Sequence, residues 1–398
     1  MMITVEEAEA IILKNTIILS PEKVMIENAL GRILAEDLCA DRDFPPFDRV
    51  TMDGIAINYN QILNGQTEFT IEATIAAGKP QATLKGLTQC IEIMTGAMLP
   101  TNTDTVIRYE DIEINNRIAK IIIPPSKRGA NIHTKASDRK QNEVIVTKGK
   151  KLSPAEIGVA ATIGKNALLV QKRIKAIIIS TGEEIVPITE TPLPHQIRTS
   201  NSYALQASLH NWDVEADTIL LPDSQDIIEQ KIGEFLLIYD VLILSGGVSA
   251  GKFDFVPQAL ENQGVKKLFH KVSQRPGKPF WFGVKENQNK VVFALPGNPV
   301  STFICLHRYF KPWLDASQGV STQQLTAQLN QDFTFRFGLT FFLQVKLEHS
   351  SKGTIAIPLE GNGSGDLANL VEADAFLELP MGNETFKKGE VHKIFVYR

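Results

Sequence analysis

The chain has 398 residues, 43% of them hydrophobic and 22% charged, with 41 basic against 45 acidic side chains and a formal net charge of −4. That composition buries a sizeable core and argues against disorder, and its acidic balance argues against a broad basic surface for nucleic acid. No apolar run reaches the ~20 residues of a membrane span, the start MMITVEEAEAIILKN is acidic, and Cys39, Cys90 and Cys305 form no CxxC pair, so the expected setting is the cytoplasm, without disulfides, thiolate zinc or a membrane.

Thr4-Val5-Glu6-Glu7 reads as a capping box that opens a helix with Ala8, Ile11 and Ile12 on its apolar face. A second helix is expected over 21–34. Helical character ends near Ala40, before Phe44-Pro45-Pro46. Short β-rich runs then follow (FTIEATI, CIEIMTG, DTVIRYEDIEI, IAKIIIP), split by Gly, Pro, Asn and Asp. They predict a small, mostly antiparallel β domain. Ser153-Pro154-Ala155-Glu156 caps a further helix ending at Gly164.

From 171 to 316 strands and helices alternate. IKAIIIST, EADTILLP, VLILSGG, KPFWFGV and KVVFALP are strand-like; 202–211, 223–239, 254–263 and 300–314 are helix-like. Alternation at this spacing predicts a doubly wound, three-layer α/β/α domain with a mostly parallel sheet, and ligands beyond the carboxyl ends of its strands. The last segment (FRFGLTFFLQVKL, TIAIPL, AFLELP, VHKIFVYR) reads as a C-terminal β-barrel or sandwich. The chain thus divides into a helical region at 1–44 and 139–170, an inserted β domain at 45–138, the α/β domain at 171–316 and a C-terminal barrel at 317–398.

The candidate site residues cluster at strand ends. Ser245-Gly246-Gly247-Val248-Ser249-Ala250-Gly251 follows a buried strand and is either an oxyanion-binding turn or a plain strand-to-helix connection. Pro296-Gly297-Asn298-Pro299-Val300-Ser301 poses the same choice, with a helix beginning on free N–H groups. Arg275-Pro276-Gly277-Lys278-Pro279 holds two cations in a stiff turn, suited to a dianion or simply solvated. Glu183, Glu184, Asp223 and Asp254 fall on the same rim; each is a cap, a surface charge or, together, a Mg²⁺ site beside phosphate. The seven histidines show no metal-ligand spacing, and neither GxSxG nor HExxH occurs.

Nine segments in order carry a resemblance over essentially the whole chain: PPFDRVTMDGIAI, IMTGAMLPTNTDTVIRYED, SDRKQNEVIVTKGKKLSPAEIGVAATIG, STGEEI, SNSYAL, LSGGVSAGKFDF, RPGKPFWFG, LPGNPVST and GNGSGDLANLVEADAFLELP. The chain resembles the molybdopterin molybdenumtransferase family, the molybdenum insertases related to the C-terminal domain of gephyrin. The resemblance implies an elongated four-domain homodimer. Its substrates would be adenylylated molybdopterin and molybdate, and AMP would be released with Mg²⁺ required. Matching motifs position by position points to Asp53, Thr95, Asp138, Glu184, Asp223, Asp254, Lys278, Pro296, Pro299 and Ser364. Asp53 and Thr95 would act across the dimer. The implied catalytic set is Asp53, Thr95, Glu184, Asp254 and Lys278, and the metal set is Glu184, Asp223 and Asp254. The chain departs from the family pattern at Val50, Thr51, Ile55, His133, Thr199 and Arg275. Two further readings are a molybdopterin adenylyltransferase, which shares only the α/β domain, and a gephyrin-like scaffold. The adenylyltransferase itself and the acceptor molybdoenzymes are the implied partners.

Overall fold

A computed structural model describes residues 2–248, 255–351 and 353–398. Ser249 and Asp254 lie outside the described residues. The chain divides into two compact units. One comprises Met1–Lys23, Gly31–Ala35 and Leu169–Arg398, and the other Val24–Leu30 and Glu36–Leu168.

The larger unit is built on a six-stranded mixed sheet. Its order is Glu215–Leu221, Lys175–Thr181, Val241–Ser245, Lys290–Leu295, Pro279–Lys285 and Lys266–Lys271. The first four strands are parallel, and the last three are joined antiparallel. The three inner parallel strands read as apolar runs because both faces are covered, whereas the edge strand Glu215–Leu221 exposes Glu215, Asp217 and Thr218. Ala176, Ile178, Val241, Ile243 and Phe293 join one core with the helices Asn201–Asn211 and Pro299–Cys305. Ile177, Ile179, Leu242, Leu244 and Val292 join the opposite core with Gln225–Ile238 and Val256–Asn262. Each fully buried Leu, Ile or Phe contributes about 1.5–3 kcal/mol. Register then decides where chemistry sits. Thr181 is paired with Leu221, Ser180 with Ser245, and Ser245 with Leu295. The turns after all four parallel strands therefore leave the sheet along one edge.

The helix Val5–Leu13 carries the expected capping box: the Glu7 N–H donates to Thr4 Oγ1 and the Thr4 N–H to Glu7 Oε2. Its Val5, Ala8 and Ile12 are buried in the first core. In the C-terminal segment Thr340–Ser350, Gly353–Pro358, Thr326–Leu329, Val391–Val396 and Ala375–Leu379 pair in turn, and the last returns to the first. This ring is a closed barrel. The short strand Gln274–Arg275 pairs parallel with Thr340 and Phe341, tying the α/β domain to the barrel wall.

The smaller unit has a six-stranded sheet ordered Thr105–Arg108, Gly54–Ile57, Gln89–Ile93, Glu68–Ile75, Ile118–Ile121 and Ile112–Asn115. All of its pairings are antiparallel except Glu68–Ile75 with Gln89–Ile93. The helix Pro154–Thr162 has the predicted capping box of Ser153 and Glu156 and stops before Gly164 at φ +76°.

Two expectations are corrected here. The helix expected over 21–34 is instead the strand Pro21–Met25 and the 3-10 turn Ile26–Asn28. Residues Pro21–Met25 alternate in exposure with period two, and Gly31 takes φ +78°, a left-handed conformation no α-helix can continue through. The strand Lys266–Lys271, unforeseen in the sequence, makes the sheet's far edge antiparallel rather than a continuation of the parallel winding.

Candidate functional site

The strand-end turns and the barrel meet around one cavity of about 660 Å³. Arg275, Lys278, Pro296, Asn298, Ser301 and Ser364 line it, all six of them foreseen from the sequence. Three observations explain how the turns are held there. Gly246 and Gly247 take φ +100° and +68°, so the chain reverses tightly after Ser245. A Cβ on Gly297 would lie 3.5 Å from Gly246 Cα, so the two glycine turns approach backbone to backbone. Asn201 joins them, donating from Nδ2 to Ser245 Oγ at 2.9 Å and to the Gly297 carbonyl at 2.7 Å.

The expectation of open amides is corrected for Gly246, Val300 and Thr302. The Gly246 N–H donates to the Leu295 carbonyl at 3.2 Å. At the helix start Pro299 has no N–H, Val300 donates to the Ser364 carbonyl at 3.0 Å and Thr302 to the Asn298 carbonyl at 2.9 Å. Internal bonds satisfy these donors, as they must where backbone is buried. Asn298 Nδ2 donates to Ser364 Oγ at 2.8 Å, which leaves the Ser364 hydroxyl proton available to a ligand.

Beneath the cation turn lies a buried polar layer that the sequence reading did not single out. Gln274, fully buried, places Nε2 3.2 Å from the carbonyl oxygens of both Pro276 and Gly277, and 3.4 Å from Cys305 Sγ. Its Oε1 accepts the Tyr309 hydroxyl. Gly277 takes φ +93°, and a Cβ there would meet Gln274 Nε2 at 2.6 Å and Cys305 Sγ at 2.7 Å. Burial pushes the Cys305 thiol up to about 12 and the Tyr309 phenol well above its usual value, so both stay neutral. Arg308, beside Tyr309, is 1% exposed and pairs with Glu9 at 2.8 Å and Glu378 at 2.7 Å.

The rim carboxylates divide differently. Glu184 is exposed, and Ser224, which precedes the helix Gln225–Ile238, makes no side-chain cap bond. Glu184 follows Thr181 and Asp223 follows Leu221, the ends of two paired strands. Among the described residues no three His, Cys, Asp or Glu side chains gather to hold a metal. The donors on this rim are all carboxylate oxygens, the hard set that Mg²⁺ accepts.

In the smaller unit, Asp53 and Thr95 are brought together. The Thr95 N–H and hydroxyl both donate to Asp53 Oδ1 at 2.7 Å. The Thr95 hydroxyl first, then its N–H, holds the Asp53 carboxyl below the usual carboxylate range. Asp138 bonds His133 Nε2 at 2.8 Å, while Arg49 Nη2 lies 3.1 Å from His133 Nδ1. Arginine only donates, so Nδ1 accepts and Nε2–H faces Asp138. The departure at His133 is thus backed by a cation from the paired strand.

Residues 3–164 match the MoeA N-terminal region (domain I and II), 177–316 a probable molybdopterin binding domain, and 326–396 the MoeA C-terminal region (domain IV). A molybdopterin molybdenumtransferase of Synechocystis sp. is 41% identical over 375 residues, covering 94% of each chain. One from Staphylococcus aureus is 31% identical over 382 residues, covering 94% of this chain and 90% of the other. Two crystal structures of the molybdopterin biosynthesis MoeA protein from Pyrococcus horikoshii superpose with a TM-score of 0.86 over 100% of both chains, at 29% and 27% identity. This chain belongs to the molybdopterin molybdenumtransferase family, enzymes of molybdenum cofactor biosynthesis.

Proposed function

We propose that the protein inserts molybdate into the dithiolene of adenylylated molybdopterin and releases AMP. The observation that carries this is the cavity holding Arg275 and Lys278 with Asn298, Ser301 and Ser364. Two cations and a ring of neutral donors suit a tetrahedral dianion: arginine offers a fork of N–H groups and lysine a point charge. Pro296 and Pro299 stiffen the turn that carries Gly297 and Asn298. The turn Ser245-Gly246-Gly247, with Ser249 beyond it, would lie along the pyrophosphate. Glu184, Asp223 and Asp254 would hold Mg²⁺, which when bound offsets phosphate charge and polarises the anhydride to be cleaved. The working form would be a cytoplasmic homodimer in which Asp53, Thr95 and Asp138 of one copy complete the other's site. Asp53, kept ionised by Thr95, would there supply a fixed negative charge. An adenylyltransferase would supply the substrate, and acceptor molybdoenzymes would take the product. The scaffold reading is not favoured, because the full-length likeness is to molybdenumtransferases.

The test is turnover of adenylylated molybdopterin with molybdate and Mg²⁺, followed by released AMP and by molybdenum bound to pterin. Absence of both sinks the proposal. Asp254→Asn isolates the metal role. It should bind the substrate yet release AMP about two orders of magnitude more slowly, roughly 2.7 kcal/mol of barrier. Unchanged release would remove Asp254 from the metal set.

A further inference from the structure

The cavity has an aromatic wall for which the anion chemistry has no use. Phe333, Phe335, Phe337, Leu339 and Phe341 line it together with the two cations. Phe333 and Phe341 stack with centroids 5.8 Å apart and planes 8° apart. Phe335 and Phe341 stack at 4.2 Å and 13°, and Phe337 lies 5.1 Å from Phe335 with its plane tilted by 48°. Most of these rings also serve the barrel: Phe335 belongs to its core, and Phe333, Leu339 and Phe341 pack against it. Phe337 does not. It is 62% exposed, and the Arg275 guanidinium lies 4.6 Å over its ring.

An apolar ring in water forgoes burial that any core position would give it. Here one stands at a cation, beside three near-parallel rings. A lone tetrahedral oxyanion would fill only a fraction of about 660 Å³, a size typical of sites for whole organic ligands. An electron-rich aromatic face and a guanidinium plane both stack on planar heterocycles. We infer that Phe337, with Phe335 and Arg275, is a stacking platform for the planar heteroaromatic ring of a substrate whose anionic group sits at Arg275 and Lys278. This rests on the function proposed above, whose substrate carries two such rings, a pterin and an adenine.

The test uses the full-length protein, the variants Phe337→Ala, Phe337→Leu and Phe337→Trp, and three probes: 6-carboxypterin, 5′-AMP and molybdate. Affinities come from calorimetry, with pterin fluorescence as a second readout. Loss of a stacking ring should weaken a ring-bearing probe about five- to a hundredfold in both the Ala and Leu variants. Tryptophan should restore it, and molybdate affinity should stay at the wild-type level. Whichever ring probe is weakened identifies the ring on the platform. Unchanged affinity for both ring probes overturns the inference. So does an equal loss for molybdate, since Phe337 would then only prop Arg275. If the wild-type chain binds none of the three probes, the proposed function falls and the platform falls with it. If it turns over substrate while the variants bind normally, only the platform falls.

Discussion

Arg275 and Lys278 stand on a buried polar layer, whereas Asp53 is held at the surface by one neighbouring threonine. Under the cation turn, Gln274, Tyr309 and Cys305 are fully enclosed, and Arg308 anchors the adjoining helix to Glu9 and Glu378. In the smaller unit Thr95 makes both bonds to Asp53, and water reaches the carboxylate. Where a polar group is buried, losing its partner leaves an orphan that no water rescues. Where it is exposed, the same loss changes protonation and orientation rather than stability. Damage to the first region should therefore appear in folding and ligand binding together, and damage to the second chiefly in pH dependence.

The largest expected effect is from Arg308→Ala. It leaves Glu378, 6% exposed, with only the longer pair to Lys393 at 3.9 Å, and should lower unfolding stability towards the about 3–5 kcal/mol that breaking a buried pair costs. A denaturant midpoint near that of wild type would show that water reaches Glu378 and that the contrast is overdrawn. Gln274→Leu comes next. It leaves two turn carbonyls and the Tyr309 hydroxyl without their partner, about 1–3 kcal/mol for each orphan that stays dry. Molybdate half-saturation should rise with it, because Lys278 keeps its charge but loses its support. Lower stability with unchanged half-saturation would make Gln274 a packing residue only. The smallest effect on folding is from Thr95→Val, which removes the larger cause of the lowered Asp53 pKa and keeps the backbone donor. A depressed carboxylate contributes stability above its unfolded value and loses it as pH falls through the folded one, so the window lies below 3.8. At neutral pH the melt should fall only slightly, and that difference from wild type should vanish as the pH drops through the window. The acid limb of the activity profile should shift to higher pH, and an unshifted limb would take Asp53 out of the chemistry.

Local punctuation made much of the site legible. Arg275-Pro276-Gly277-Lys278 and Pro296-Gly297-Asn298-Pro299 announce turns because proline and glycine fix backbone angles without help from elsewhere. The strand before Pro296 announces burial through the apolar run Val291-Val292-Phe293-Ala294-Leu295. Gln274 and Tyr309 gave no such signal: 35 positions separate them, and only the folded chain makes them partners. The free amides expected at Gly246 and Val300 failed for the same reason, since their acceptors Leu295 and Ser364 come from other turns. Residues 21–34 misled because Met25, Ala29 and Ile33 recur at the four-residue spacing of a helix face, and the sequence does not show that Gly31 turns left-handed. Asn201 could have been found: it stands in SNSYAL, one of the segments that carried the family likeness, at the start of a helix beside the glycine turns.

The thiol at Cys305 gives the cation turn a chemical clock. It is buried against Gln274 and its pKa is pushed up to about 12, so an alkylating reagent at neutral pH meets almost no thiolate until the turn lets go. Cys90 is buried in the smaller unit with its pKa likewise near 12, while Cys39 is exposed. Iodoacetamide labelling followed by mass spectrometry would therefore read three rates from one sample: Cys39 for the reagent itself, and Cys90 and Cys305 for how often each interior opens. A ligand that grips Arg275 and Lys278 should slow Cys305 and leave Cys39 untouched, which makes occupancy of the cavity measurable without any turnover.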